Sequence, residues 1–146
     1  MMQNLVGREY PPFRVAVERR WIRTFADAIG DDDPLYRDRQ VAAAAGYADV
    51  PAPPTFGFSV AMEAAQPLLV LADLGVDKTR TMHGEQSFAY ERPIVAGDVL
   101  TGTQKVVDMY ERKGGALTFV VTQTTLANQR EERVCDLRTV IVIRNG

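Results

Sequence analysis

The stretch at 55–65, T-F-G-F-S-V-A-M-E-A-A, constrains the fold most. Phe56, Val60 and Ala64 recur at helical spacing on one face, while Phe58, Ala61 and Ala65 fill the others. A helix apolar nearly all round needs cover on most of its sides. It follows a loop at 47–54 with Pro51, Pro53 and Pro54, where the chain is extended before each proline. The N–H groups around Thr55, Phe56 and Gly57 therefore begin a helix and lack intrahelical acceptors, leaving them for a cap or a ligand. Gly57 allows a ligand to come close to the backbone. Pro67 should kink or end the helix, with a further turn or two over 68–74 before Gly75.

The remaining segments supply the cover. Phe13, Val15 and Val17 alternate within 7–17 and predict a short strand, at an edge because of Pro11 and Pro12. Over 18–29 the period changes to that of a helix, with Trp21, Phe25, Ala28 and Ile29 on one face and Arg19, Arg20, Arg23 and Asp27 on the other. A second short helix is expected at 37–46, closed by Gly46. From His83 onward the pattern is that of strands, at 83–90, 97–110, 116–126 and 134–144, with a hairpin signal at Lys113-Gly114-Gly115 and a polar turn at 128–131. One apolar helix and about four antiparallel strands satisfy each other when a curved sheet wraps the helix. The expected fold class is therefore α+β, the hot-dog arrangement, with sheet edges that favour a dimer.

The chain of 146 residues fits one domain, 1–146. A net charge of −2 offers no basic excess for phosphate backbones, so no nucleic acid is expected as a partner. The single cysteine, Cys135, excludes an intrachain disulfide and reads as a small buried hydrophobe. One histidine and one cysteine make no zinc constellation, and neither metal nor cofactor is expected. The N-terminal residues lack the pattern of a signal peptide, and the apolar run at 67–74, interrupted by Asp73, is far short of a membrane span. These features lead to the expectation of a cytoplasmic protein with no membrane association.

Between the first two helices stands G-D-D-D-P-L-Y, at 30–36. One reading is a helix stop, with Gly30 as the end signal, aspartates as turn formers and Pro34 as a breaker. The other is a site, because adjacent carboxylates invite a shifted pKa. The stretch resembles the G-D-x-N-P-[LIV]-H motif of MaoC-like, (R)-specific enoyl-thioester hydratases and dehydratases. F-A-D-A-I-G-D and H-G-E-Q-S-F-A-Y-E-R-P-I-V-A-G-D-V-L resemble the N-terminal MaoC-like dehydratase domain, which includes small subunits of heterodimeric 3-hydroxyacyl-ACP dehydratases.

The resemblance implies a hot-dog fold, a dimer of hot dogs and acyl thioesters on CoA or acyl carrier protein. The implied chemistry is syn addition or removal of water across the C2–C3 bond. An Asp–His pair activates the water, and a backbone N–H at the central helix start polarises the thioester carbonyl. Asp31 falls on the catalytic aspartate, Asp33 on the asparagine, and Tyr36 on the catalytic histidine. Tyrosine, with an ordinary pKa near 10, is a poor base but a good donor.

His83 is the one imidazole able to take over, with Glu85 and Gln86 beside it to orient it or cap a loop; the alternative is a hydrogen-bonded structural histidine. Thr55, Phe56 and Gly57 are the candidate donors to the thioester oxygen. Arg80, Arg92 and Lys105 are candidates for carrier phosphates, or solvated surface. The expected function is an (R)-3-hydroxyacyl-thioester dehydratase or enoyl-thioester hydratase, or its acyl-binding subunit, with Asp–Tyr in place of Asp–His. It would work as a homodimer or with a catalytic MaoC-like chain. The alternatives are a non-catalytic acyl-thioester-binding module and a hot-dog thioesterase.

Overall fold

The computed structural model describes residues 2–146. Five strands, β1 (Phe13–Ala16), β2 (Thr81–Tyr90), β3 (Val99–Arg112), β4 (Leu117–Ala127) and β5 (Arg133–Arg144), form one antiparallel sheet in the order β1-β3-β4-β5-β2. β3, β4 and β5 are the expected meander. The β3–β4 hairpin turns through Lys113, Gly114 and Gly115, all at positive φ, which explains the two glycines. β1 lies at an edge, as its prolines require. β2 forms the other edge.

The helices are α1 (Arg19–Ala28), α2 (Arg39–Ala44), α3 (Phe56–Glu63) and α4 (Gln66–Leu74). α2 is shorter than its expected span because Asp38 caps it, its carboxylate accepting from the N–H groups of Gln40 and Val41. The break after α3 also differs from the sequence reading. It falls at Ala65, which adopts φ 55°, and Pro67 sits in the first turn of a new nine-residue helix. Proline is well placed there because its missing N–H would have had no acceptor. α3 and α4 are bent by 55°, and no single helix among the described residues is long and apolar enough to cross a membrane.

The bend divides the core. Phe56 and Val60 of α3 pack with Ile22, Leu100, Leu126 and Leu137, whereas Val70 and Leu71 of α4 pack with Val106, Val120, Ile141 and Ile143. Two-residue alternation puts Leu126 and Val120 on one sheet face, and Leu137, Ile141 and Ile143 on the same face through the β4–β5 register. Both helices thus cover the inner face of one sheet, in the hot-dog arrangement. Phe56 is fully buried, and its ring meets Trp21 and Phe25 edge-on at 4.7 and 5.4 Å. That pins α1 over the start of α3 and brings the acid turn beside the proline-rich loop.

Candidate functional site

The acid turn is built by local hydrogen bonds. Gly30, at φ 74°, ends α1. The Asp31 carboxylate accepts from the Asp33 N–H at 3.1 Å. The Asp33 carboxylate accepts from the Leu35 N–H at 2.9 Å, capping the short 3-10 turn Pro34–Tyr36. Arg37 ties the turn from below, donating to the carbonyls of Asp31 and Asp33 at 2.8 and 2.9 Å and to the Asp27 carboxylate at 2.6 Å. This geometry delivers Tyr36, half-buried against the core, into a cleft. Burial first, then the charges of Asp31 and Asp33, hold its phenol above the ordinary tyrosine range. At neutral pH Tyr36 is a hydrogen-bond donor and not a base.

The cleft encloses about 330 Å³. Leu35 and Tyr36 come from the turn, Tyr47, Pro51 and Pro54 from the proline-rich loop, and Tyr90, Arg92 and Ile94 from the end of β2 and beyond. Tyr90 reaches the start of α3, where its hydroxyl donates to the Pro54 carbonyl at 2.6 Å. The Gly57 N–H faces the same oxygen, and burial outweighs it to push the phenol far up. A Cβ on Gly57 would stand 3.3 Å from the Tyr90 oxygen and 3.1 Å from Leu137 Cδ2, so the close approach uses the missing side chain. The neighbouring Phe56 N–H donates to the Pro53 carbonyl at 3.0 Å, and the Thr55 side chain caps nothing.

His83, Glu85 and Gln86 lie elsewhere, on the β2 edge. The exposed His83 ring is hydrogen-bonded through Nε2 to Gln86 Oε1 at 3.1 Å and lies 4.9 Å from the Phe58 ring, centroid to centroid. Gln86 Oε1 also accepts from the Thr139 hydroxyl at 2.8 Å, so Gln86 orients the imidazole. Glu85 is exposed after a bulge at Gly84. Among the described residues of one chain, no hydrogen bond or ion pair joins His83 to Asp31 or to Tyr36. The basic candidates do not converge either. Arg80 donates to the Arg144 carbonyl at 3.0 and 2.7 Å, Lys105 pairs with Glu9 at 3.8 Å, and Arg92 pairs with Glu132 at the rim of the cleft.

A family described as "FAS1-like, dehydratase domain region" matches residues 4–137. The chain belongs to that dehydratase family. It is 42% identical over 143 residues to a UPF0336 protein of Saccharopolyspora erythraea, covering 97% of this chain and 90% of that one. Among solved structures it is similar to the C-terminally truncated HadBC (3R-hydroxyacyl-ACP dehydratase) complex from Mycobacterium tuberculosis, with a TM-score of 0.83 and 26% identity over 97% of this chain and 99% of that one. A MaoC-like dehydratase gives a TM-score of 0.85 and 29% identity, over 97% of this chain and 43% of that one. These fold neighbours are MaoC-like, hydratase- and dehydratase-type hot-dog proteins.

In this dehydratase-family fold, the cleft residues that sequence reasoning missed are Tyr90 and Tyr47. Tyr90 had one local signal, its alternation with Phe88 just before Glu91-Arg92-Pro93. That it meets α3 follows only from the pairing of Tyr90 with Cys135 across β2 and β5. Cys135 itself is fully buried, and burial pushes its thiol up to about 11, so it is neutral and unreactive.

Proposed function

We propose that this chain supplies the acyl-thioester-binding half of a (R)-3-hydroxyacyl-thioester dehydratase or enoyl-thioester hydratase, with the catalytic Asp–His pair coming from a MaoC-like partner chain. The observation that carries this reading is the absence of an imidazole beside Asp31 in one chain. Tyr36 stands at the histidine position of the motif, and the chain's only histidine is hydrogen-bonded to Gln86 on the β2 edge. A neutral phenol does not take a proton from water at neutral pH. Further support comes from the Gly57 amide, the family's candidate carbonyl polariser, which faces the chain's own Tyr90. The similar HadBC structure is a complex of 3R-hydroxyacyl-ACP dehydratase, which favours a heteromeric assembly here. In this reading Tyr36 donates a hydrogen bond into the cleft, Asp31 and Asp33 hold its loop, and the aromatic and proline walls take the acyl chain.

The test is loss of enoyl absorbance with crotonyl-CoA and longer enoyl-CoA substrates. The purified chain alone should give no turnover, and turnover should appear when a MaoC-like chain with an intact Asp–His pair is added. Turnover by the chain alone that disappears in Asp31→Asn would refute the subunit reading and make Asp31 and Tyr36 a variant catalytic dyad. A loss of turnover in His83→Ala of the lone chain would assign the base to His83. Release of free thiol without hydration would identify a thioesterase. Tight acyl-CoA binding with no turnover in any pairing would leave a binding module.

A further inference from the structure

A buried polar band separates the two cores. On the helix side it is Gln66, at the start of α4 and 4% exposed. On the sheet side it is Gln104, within β3 and 2% exposed. Gln66 lies between Ala61, which packs in the first core, and Val70, which packs in the second. Gln104 lies between Leu100 and Val106, which divide in the same way. Gln66 is one helical turn from Val70, and Gln104 is one strand repeat from Val106, so each shares the face of its neighbour. Val70 and Val106 pack in one cluster. The two carboxamides therefore step from that contact towards the same place, the bend at Ala65.

Both side chains are short of a partner. The Oε1 atoms of Gln66 and Gln104 are buried, and no donor among the described residues reaches either. A buried amide oxygen without a donor destabilises a fold, and native interiors rarely keep one. The surroundings are polar as well. Thr124 stands opposite Gln104 across β3 and β4, and Thr122 stands opposite Thr139 across β4 and β5. All three threonines are buried. Strand alternation puts them on the inner face with Val120 and Leu126. The band leaves the interior at the β2 edge, where the Thr139 hydroxyl donates to Gln86 Oε1 at 2.8 Å.

We infer that an internal water molecule is bound at the bend between α3 and α4, donating one hydrogen to Gln66 Oε1 and the other to Gln104 Oε1. The chemistry of the two oxygens selects this ligand. Both are acceptors, so an anion or an apolar chain offers them nothing. Both are neutral, and no carboxylate stands among the residues of the band to balance a cation. Water carries two hydrogens and two lone pairs, and a buried water typically makes about three hydrogen bonds to groups that would otherwise go unpaired. The threonine hydroxyls of the band offer it the third. The water fastens α4 to β3 where left-handed Ala65 interrupts the helical ladder and the apolar contact of one core gives way to that of the other. It belongs to the fold and is independent of what the cleft binds.

The test begins on the unaltered chain, by nuclear magnetic resonance. Cross-relaxation with water should reach the side-chain amide protons of both Gln66 and Gln104, with the sign that marks a water bound for longer than the protein takes to tumble. Oxygen-17 relaxation dispersion should count one long-lived water fewer in Gln66→Leu/Gln104→Leu than in the parent. Equilibrium urea unfolding then reads the coupling. Gln66→Leu and Gln104→Leu should each lower the midpoint, because each leaves the water and the other oxygen incompletely paired. The double variant should lose clearly less than the sum of the two single losses, because both acceptors go together. Absence of water cross-relaxation at either glutamine overturns the inference, as does direct contact between the two carboxamides in its place. An unchanged count of long-lived waters, or strictly additive midpoint losses, overturns it too. A double variant that does not fold leaves the decision to the cross-relaxation of the parent.

Discussion

Tyr90→Phe removes one oxygen from the junction of β2, the proline-rich loop and α3. Three interactions go with it, the donation to the Pro54 carbonyl at 2.6 Å, the contact facing the Gly57 N–H and, last, a contact with the Cys135 thiol, a weak hydrogen-bonding group whose loss adds little. Pro54 is exposed, so water replaces its lost partner and the net cost there is about 0.5–1 kcal/mol. Gly57 is buried, and its N–H loses the oxygen it faces, at a cost of about 1–2 kcal/mol. The expected total is about 2 kcal/mol. At about 2.1 cal/mol/K per residue, the 146 residues give an unfolding entropy near ~0.3 kcal/mol/K, so Tm should fall by about 6 °C. Equilibrium urea unfolding should show a lower midpoint with the same slope, because the surface exposed on unfolding barely changes. A loss below about 0.5 kcal/mol would mean that the Gly57 amide has another partner and that Tyr90 does not close the start of α3.

Three further outcomes are expected. The Arg19 guanidinium gripping Asp49 holds its carboxyl down at about 2. This stabilisation is present above the ordinary aspartate pKa and disappears as pH falls from about 4 towards 2, so the urea midpoint of Asp49→Asn should decline less than that of the parent over this window. Ala65 occupies left-handed backbone at φ 55° between α3 and α4, and Ala65→Gly should raise stability by about 0.5–1 kcal/mol in the same assay. At Gly102 a Cβ would run into the Phe13 ring across the β1–β3 pair; Gly102→Ala should cost about 1–3 kcal/mol and selectively raise amide exchange in β1.

Some of this was legible because it is local. The aspartates after Gly30 make their turn with partners only two residues away, and G-D-D-D-P prescribes it. The prolines before β1 mark an edge because they cannot donate to a ladder. The apolar surface of α3 demanded a curved sheet. The helix break was misplaced because Pro67 is a more conspicuous signal than Ala65, whose left-handed backbone no side chain announces. A proline ends one helix or starts another, and only packing of Val70 and Leu71 on a second core selects the latter.

The candidate site divides along the same line. Sequence by itself determined an aspartate turn that carries Tyr36, with Asp31 and Asp33 bonded to N–H groups two residues on, and a glycine at the second position of the central helix. Tertiary structure alone decided that Tyr90 fills the space beside that glycine, that His83 turns to Gln86, and that the acid turn sits beside the proline-rich loop. Each of those meetings depends on β2 pairing with β5, on the bulge at Gly84, or on Phe56 seating against α1. A shift of the β2–β5 register by one residue would send His83 and Tyr90 to the other face of the sheet. No local pattern encodes a distance between segments that meet only after the whole core has closed.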